Sequence, residues 1–112
     1  MSTLEVTITD YNTGSGELAS KGALVFIHYT GTLTDGTVFD SSYNHGRPFE
    51  FVVGSKKVIQ GMSQGILGMK VGGRRKIHIP APLAYGERSM GKIPPHSDLI
   101  FEIELLESRP RE

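Results

Sequence analysis

The sequence predicts an α+β fold, an antiparallel sheet of five or six strands with one short central helix. Three observations predict it. Apolar residues alternate with polar ones along several short runs, as they do in half-buried strands. The alternation breaks once, between Lys57 and Met69, where the apolar spacing shifts to three and four. Asp35-Gly36 lies between two apolar runs and marks a tight hairpin of type I′. Strands before and after a single helix favour α+β over an alternating strand–helix arrangement.

Leu4 to Thr9 alternates and reads as a half-buried strand, and Asn12 to Gly16 is turn chemistry. Leu24 to Leu33 is rich in β-branched and aromatic residues and reads as a long strand. Thr37 to Asp40 pairs back on it after the Asp-Gly turn. Tyr43 to Pro48 reads as a loop or bulge, and Phe49 to Val53 as a further strand closed by Gly54.

Val58, Ile59, Met62, Ile66, Leu67 and Met69 give the apolar spacing of a helix. Gly61, Gly65 and Gly68 weaken it, each by about 1 kcal/mol relative to Ala in a helix interior. Such a helix holds only if one face is packed on a sheet. Gly72-Gly73 turns the chain. Arg75, Ile77 and Ile79 then alternate with Lys76 and His78 in a strand. Pro80 to Pro95 is a long irregular loop holding four of the six prolines. A loop of that length in a small domain is functional or disordered. Leu99 to Leu106 is the last strand, with Phe101, Ile103 and Leu105 on one face and Glu102 and Glu104 on the other. Ser108 to Glu112 reads as a polar tail.

The chain has 112 residues, which suits a single domain over residues 1–112. That length buries enough surface to fold without disulfide or metal. The chain has no cysteine, which fits a reducing, cytoplasmic compartment. The opening Met-Ser-Thr-Leu-Glu predicts no signal peptide. No apolar run approaches the roughly 20 residues that span a bilayer. Twelve basic and twelve acidic residues cancel, which argues against a general affinity for nucleic acid or anionic membrane.

The stretch His28-Tyr-Thr-Gly31 followed by Leu33 to Ser42 carries the strongest functional signal. Its hairpin brings Tyr29, Phe39 and Asp40 toward one concave face, which suggests an apolar pocket with a charged group at its edge. Other motifs are weaker. Gly61-Met-Ser-Gln-Gly65 matches the G-x-S-x-G nucleophile elbow, but that motif needs a strand before it and a large α/β sheet around it. Arg74-Arg75-Lys76 reads as a solvated face of a strand. His28, His45, His78 and His96 have no metal-ligand spacing.

Taken in order, His28-Tyr-Thr-Gly31, Asp35-Gly36, Phe39 to Ser42, Pro48-Phe49, Val58 to Gly61, Val71-Gly72, Ala84-Tyr-Gly86, Ile93 to His96 and Leu99 to Leu106 resemble the FKBP-type peptidyl-prolyl cis-trans isomerases. The resemblance runs from about Val6 to Leu106. It implies a five- to six-stranded antiparallel half-barrel sheet wrapped around the helix. It implies a pocket lined by Tyr29, Phe39, Asp40, Phe49, Val58, Ile59, Tyr85, Ile93 and Phe101. The Ile59 N–H and the Tyr85 hydroxyl would donate to bound carbonyls. The usual pocket-floor Trp is replaced by Met62, which is apolar but smaller and more flexible. The basic residue that often contacts the pocket acid corresponds to His45.

The implied partners are proline-containing polypeptides and macrolide inhibitors of the FK506/rapamycin type, with no cofactor, no metal, no nucleic acid and no membrane, and a monomeric state. The implied activity is rotation about X–Pro bonds during protein folding. Amide resonance sets a barrier of roughly 18–20 kcal/mol to that rotation. Nothing is cleaved, so the step needs neither nucleophile nor covalent intermediate. The planar ground state separates charge between oxygen and nitrogen, and the twisted transition state separates less. An apolar pocket therefore disfavours the ground state more, which is differential binding. The alternative is a proline-segment binding module or chaperone-like scaffold in which turnover is incidental. A third reading is an interaction hub through the loop from Leu83 to His96.

Overall fold

The structure is a computed structural model and describes residues 5–110. Six strands and one helix follow in order: β1 (Thr7–Asn12), β2 (Leu24–Leu33), β3 (Val38–Ser41), β4 (Phe49–Val52), α1 (Gln60–Ile66), β5 (Arg74–Ile79) and β6 (Leu99–Arg109). Short 3₁₀ turns occupy Ser42–His45 and Ala81–Leu83. Every strand pair is antiparallel, and the order across the sheet is β1-β5-β6-β2-β3. The strand β4 also pairs with β2, along Leu24 to Ile27, while β3 pairs further on at Thr30 to Thr32. The last strand in sequence is thus the middle strand in space.

Alternation decides which face is inside. Val25, Ile27 and Tyr29 of β2, Ile77 and Ile79 of β5, and Leu99, Phe101, Ile103 and Leu105 of β6 are all buried. Burying such a side chain fully is worth about 1.5–3 kcal/mol relative to leaving it in water. The helix lies against this face, with Met62 and Ile66 in the core.

The helical glycines have a role beyond weakening the helix. A Cβ on Gly61 would sit 2.3 Å from Ile79 Cγ2, and one on Gly65 would sit 2.5 Å from Ile77 Cδ1. Their spacing of four places both on the side of α1 that meets β5. They let the helix backbone approach the strand closely, and the packing outweighs the propensity they lose. Gly68 then leaves the helix with φ +85°, a left-handed conformation that ends it without strain.

Several expectations need correction. The first strand starts at Thr7 and runs on to Asn12, the first residue of the expected turn, and all six of its residues are exposed. Leu4 lies outside the described residues. The strand pairs only with β5, so its place at the sheet edge overrides the half-buried pattern. The Asp35-Gly36 turn is not of type I′, which needs positive φ at both central residues. Only Gly36 has it in this loop (φ +93°), and its N–H donates to the Leu33 carbonyl at 3.0 Å. This is a three-residue loop closed by a left-handed glycine. The polar tail is a strand as far as Arg109, with Ser108 buried and its hydroxyl donating to the Leu18 carbonyl at 3.0 Å.

Arg75 is the largest departure. It is buried, not solvated, because alternation puts it on the same face as Ile77 and Ile79. Its guanidinium donates to the Gly65 and Leu67 carbonyls at 2.8 and 2.9 Å and pairs with Asp10 at 2.7 Å. It satisfies orphan carbonyls at the C-terminal end of α1, a role that buried polar groups require some partner to fill.

Candidate active site

A cleft of about 860 Å³ opens between the concave face of the sheet and α1. That is the size of a ligand site. Three ring contacts build its deepest part. Phe101 meets Phe39 edge-on at 5.6 Å between centroids, Tyr29 meets Phe49 edge-on at 5.7 Å, and Tyr29 and Phe101 lie 5.8 Å apart. These are favourable aromatic separations. Met62, only 4% exposed, closes the floor. Val58 and Ile59, just ahead of α1, supply a side wall, and Tyr85 faces the cleft from the loop after β5.

Local chemistry positions each of these. In the sheet register Gly31 is directly opposite Phe101. A Cβ on Gly31 would sit 2.6 Å from Phe39 Cζ and 2.9 Å from Phe101 Cε1. Glycine there is the reason both rings fit. Ser42, almost wholly buried, accepts the Tyr29 N–H at 2.8 Å and donates to the Tyr29 carbonyl at 3.3 Å. Its Oγ also contacts His28 Nδ1 at 2.9 Å. The turn after β3 is thereby fastened to the strand that carries Tyr29.

The loop after β5 is irregular but strapped. Met90 and Ile93 exchange backbone hydrogen bonds at 2.9 and 2.8 Å, His96 N–H donates to the Gly86 carbonyl at 2.7 Å, and Asp98 accepts the Ala81 N–H at 2.9 Å. These bonds hold the segment that presents Tyr85.

Asp40 is the acid of the cleft, and its oxygens are occupied. The Tyr29 hydroxyl donates to Oδ2 at 2.6 Å, the Ser41 N–H donates to Oδ1 at 2.8 Å, and His45 Nε2 lies 3.2 Å from Oδ1. Burial alone would raise the Asp40 carboxyl, but the bonds from Tyr29, His45 and Ser41 outweigh it and hold it below the ordinary carboxylate value. Burial first, and then the Asp40 hydrogen bond, push the Tyr29 phenol well above its ordinary value. Tyr29 is therefore a neutral donor at any physiological pH.

Nine of the ten residues singled out from the sequence line this one cleft: Tyr29, Phe39, Asp40, Phe49, Val58, Ile59, Met62, Tyr85 and Phe101. Ile93 is buried in the same core cluster as Met62 and Phe101, within the strapped loop. Gly31 and Ser42 went unnoticed as site residues, although both stand inside motifs quoted for the resemblance. Lys21, Lys56, Lys57 and Arg88 also line the cleft and gave no signal, since basic residues scattered along a neutral chain read as solvated surface.

The family model described as FKBP-type peptidyl-prolyl cis-trans isomerase matches residues 15–106. The chain belongs to this family. It is 56% identical over 91 residues to FK506-binding protein 2 of Kluyveromyces lactis, covering 80% of this chain and 65% of that protein. It is 53% identical over 91 residues to the Saccharomyces cerevisiae peptidyl-prolyl cis-trans isomerase FPR2, covering 80% of this chain and 67% of that protein. The chain thus spans about two thirds of the length of these FKBP relatives. The solved structure of AtFKBP13 superposes with a TM-score of 0.84 at 42% identity, covering 91% of each chain. A plant relative from Arabidopsis thaliana, 44% identical over 113 residues and covering 90% of this chain and 52% of that protein, is named for a lumenal, chloroplastic location. Among the described residues no helix is long and apolar enough to cross a membrane.

Proposed function

We propose that this chain is a peptidyl-prolyl cis-trans isomerase that rotates X–Pro bonds by removing them from water. The observation that carries the reading is the ring-walled hollow formed by Tyr29, Phe39, Phe49 and Phe101 over Met62, in a cleft roomy enough for more than a proline ring. The rings and Met62 grip the pyrrolidine and exclude solvent. The less dipolar twisted imide then loses less hydration than the planar one. The Tyr85 hydroxyl and the Ile59 N–H hold flanking carbonyls. One neutral hydrogen bond contributes about 1 kcal/mol, or five- to tenfold in rate, so these bonds assist and desolvation dominates. Asp40 orients Tyr29 and fixes the cleft edge, its carboxylate being already filled by protein donors.

The reading extends to partners. Proline-containing chains are the substrates, and macrolides of the FK506/rapamycin type fill the same hollow. The protein acts as a monomer in the cytoplasm, independent of membranes, and the lack of cysteine suits that compartment.

A proline-limited refolding assay tests the function. Catalytic amounts of protein should shorten the slow phase. Binding of a proline peptide with the slow phase unchanged, even at stoichiometric amounts, would instead establish a binding module.

A further inference from the structure

The ring-walled hollow occupies only part of the cleft. The rest runs past Gly54 and Ser55 to the exposed end of α1, where Gln64 and Leu67 line it. This part is cationic. Lys21 lies beside Gly54, and Lys56 and Lys57 follow Ser55 along it, while Arg88 lines the cleft from the loop that carries Tyr85. The cleft's lining holds one acid, Asp40, whose oxygens are filled by Tyr29, Ser41 and His45. Among the described residues none of the four cations is held in an ion pair.

The clustering is local, since the whole chain carries no formal net charge. Lys57 is also held in place. Its ammonium donates to the Glu50 carbonyl at 2.7 Å and lies 5.1 Å from the centre of the Phe49 ring, one of the rings of the hollow. A cation fixed beside the ring pocket, with more along the groove, repels basic ligands and attracts acidic ones. The apolar walls strengthen that field by excluding water.

We propose that the cleft selects proline segments carrying Asp or Glu one or two positions from the proline, with Lys56 and Lys57 as the wall that reads the charge. This rests on the isomerase reading of the same cleft and adds the substrate class. The apolar hollow takes the ring, and the cationic groove takes the neighbouring acidic side chains. Selection acts on encounter and binding more than on the twisting step, because the lysines stand beside the reacting bond and not around it.

The test is a set of peptides of one length around a single X–Pro bond: neutral, with Glu before the proline, with Glu after it, and with Lys at the same places. Exchange spectroscopy gives kcat/KM and calorimetry gives Kd, each at low and high ionic strength. A Glu peptide on one side of the proline should exceed the neutral peptide by about fivefold in both quantities at low salt, and the Lys peptide should fall below it. The gap should close at high salt. The Lys56→Glu/Lys57→Glu variant should reverse the order, and Lys56→Gln/Lys57→Gln should flatten it, which guards against misfolding of the first. If the neutral peptide turns over while Glu and Lys peptides are equal in both quantities, the charge selection is overturned and the isomerase stands. If no peptide turns over, the isomerase reading falls, and the Kd series alone decides the selection: equal affinities overturn it, and a salt-sensitive preference for Glu upholds it.

Discussion

The two sides of α1 are built on opposite principles. Behind the helix, Gly61 and Gly65 press against Ile79 and Ile77 with no space for even a methyl group. In front, Met62 closes the floor of an open cleft. A seven-residue helix with no side-chain cap at its first residue has little stability of its own. The tight side fixes it, and only then can the other side be left unfilled. Glycine serves both regions differently. Gly61 and Gly65 let backbone meet side chain, whereas Gly31 lets two aromatic rings meet each other.

Substitutions on the two sides should therefore separate stability from activity. The largest effect is expected from Arg75→Met, which leaves the Gly65 and Leu67 carbonyls without their donor and Asp10 without its cation. Stability should fall by about 3 kcal/mol in urea unfolding. A loss under 1 kcal/mol would mean that the helix end does not depend on Arg75. Next comes Gly61→Ala. Helix propensity favours alanine by about 1 kcal/mol, but the clash falls on the branched stem of Ile79, and overpacking should leave a net loss of about 2 kcal/mol. A gain in stability would show that α1 can lift off β5 freely.

Gly31→Ala should show the reverse pattern. The Phe39 and Phe101 rings must shift, and kcat/KM for a neutral proline peptide should drop about tenfold, equivalent to about 1.4 kcal/mol, while stability changes less than for Gly61→Ala. Equal stability losses for both glycines would erase the contrast between the two sides. Tyr85→Phe removes one hydroxyl and should lower the rate about fivefold or less. A drop as large as that from Phe39→Ala or Phe101→Ala would refute dominance by desolvation.

The smallest effect concerns pH. The folded-state value of Asp40 lies below its unfolded value, so its contribution is present above the unfolded value of about 4 and fades as pH falls through the lower folded value. The stability difference between wild type and Asp40→Asn should shrink as pH falls below about 4. A difference that grows over that acid range would contradict the hydrogen-bonded carboxylate.

Much of this was legible in the sequence. Alternation located β5 and β6, β-branched and aromatic content located β2, the Asp-Gly turn located β3, and the single break in alternation located the helix. Contiguous motifs located Tyr29, Phe39, Asp40 and Tyr85. What escaped depends on contacts far apart in the chain. The glycines of α1 read as flaws because Ile77 and Ile79 come later in the sequence and supply the reason only in space. Arg75 read as solvent-facing because charge outweighed alternation, although alternation was the better guide. The first strand misled because an edge strand satisfies its backbone on one side only and owes little to side-chain burial.

The position of β6 between β5 and β2 has a consequence for how the protein is made. The strands β5 and β2 are joined in the sheet only through β6, which brings Phe101 with it. A nascent chain halted before Leu99 would hold Tyr29 and Met62 yet offer no closed hollow. Capacity to bind should appear only once this strand has joined the sheet, and a truncation lacking it should not bind a proline peptide.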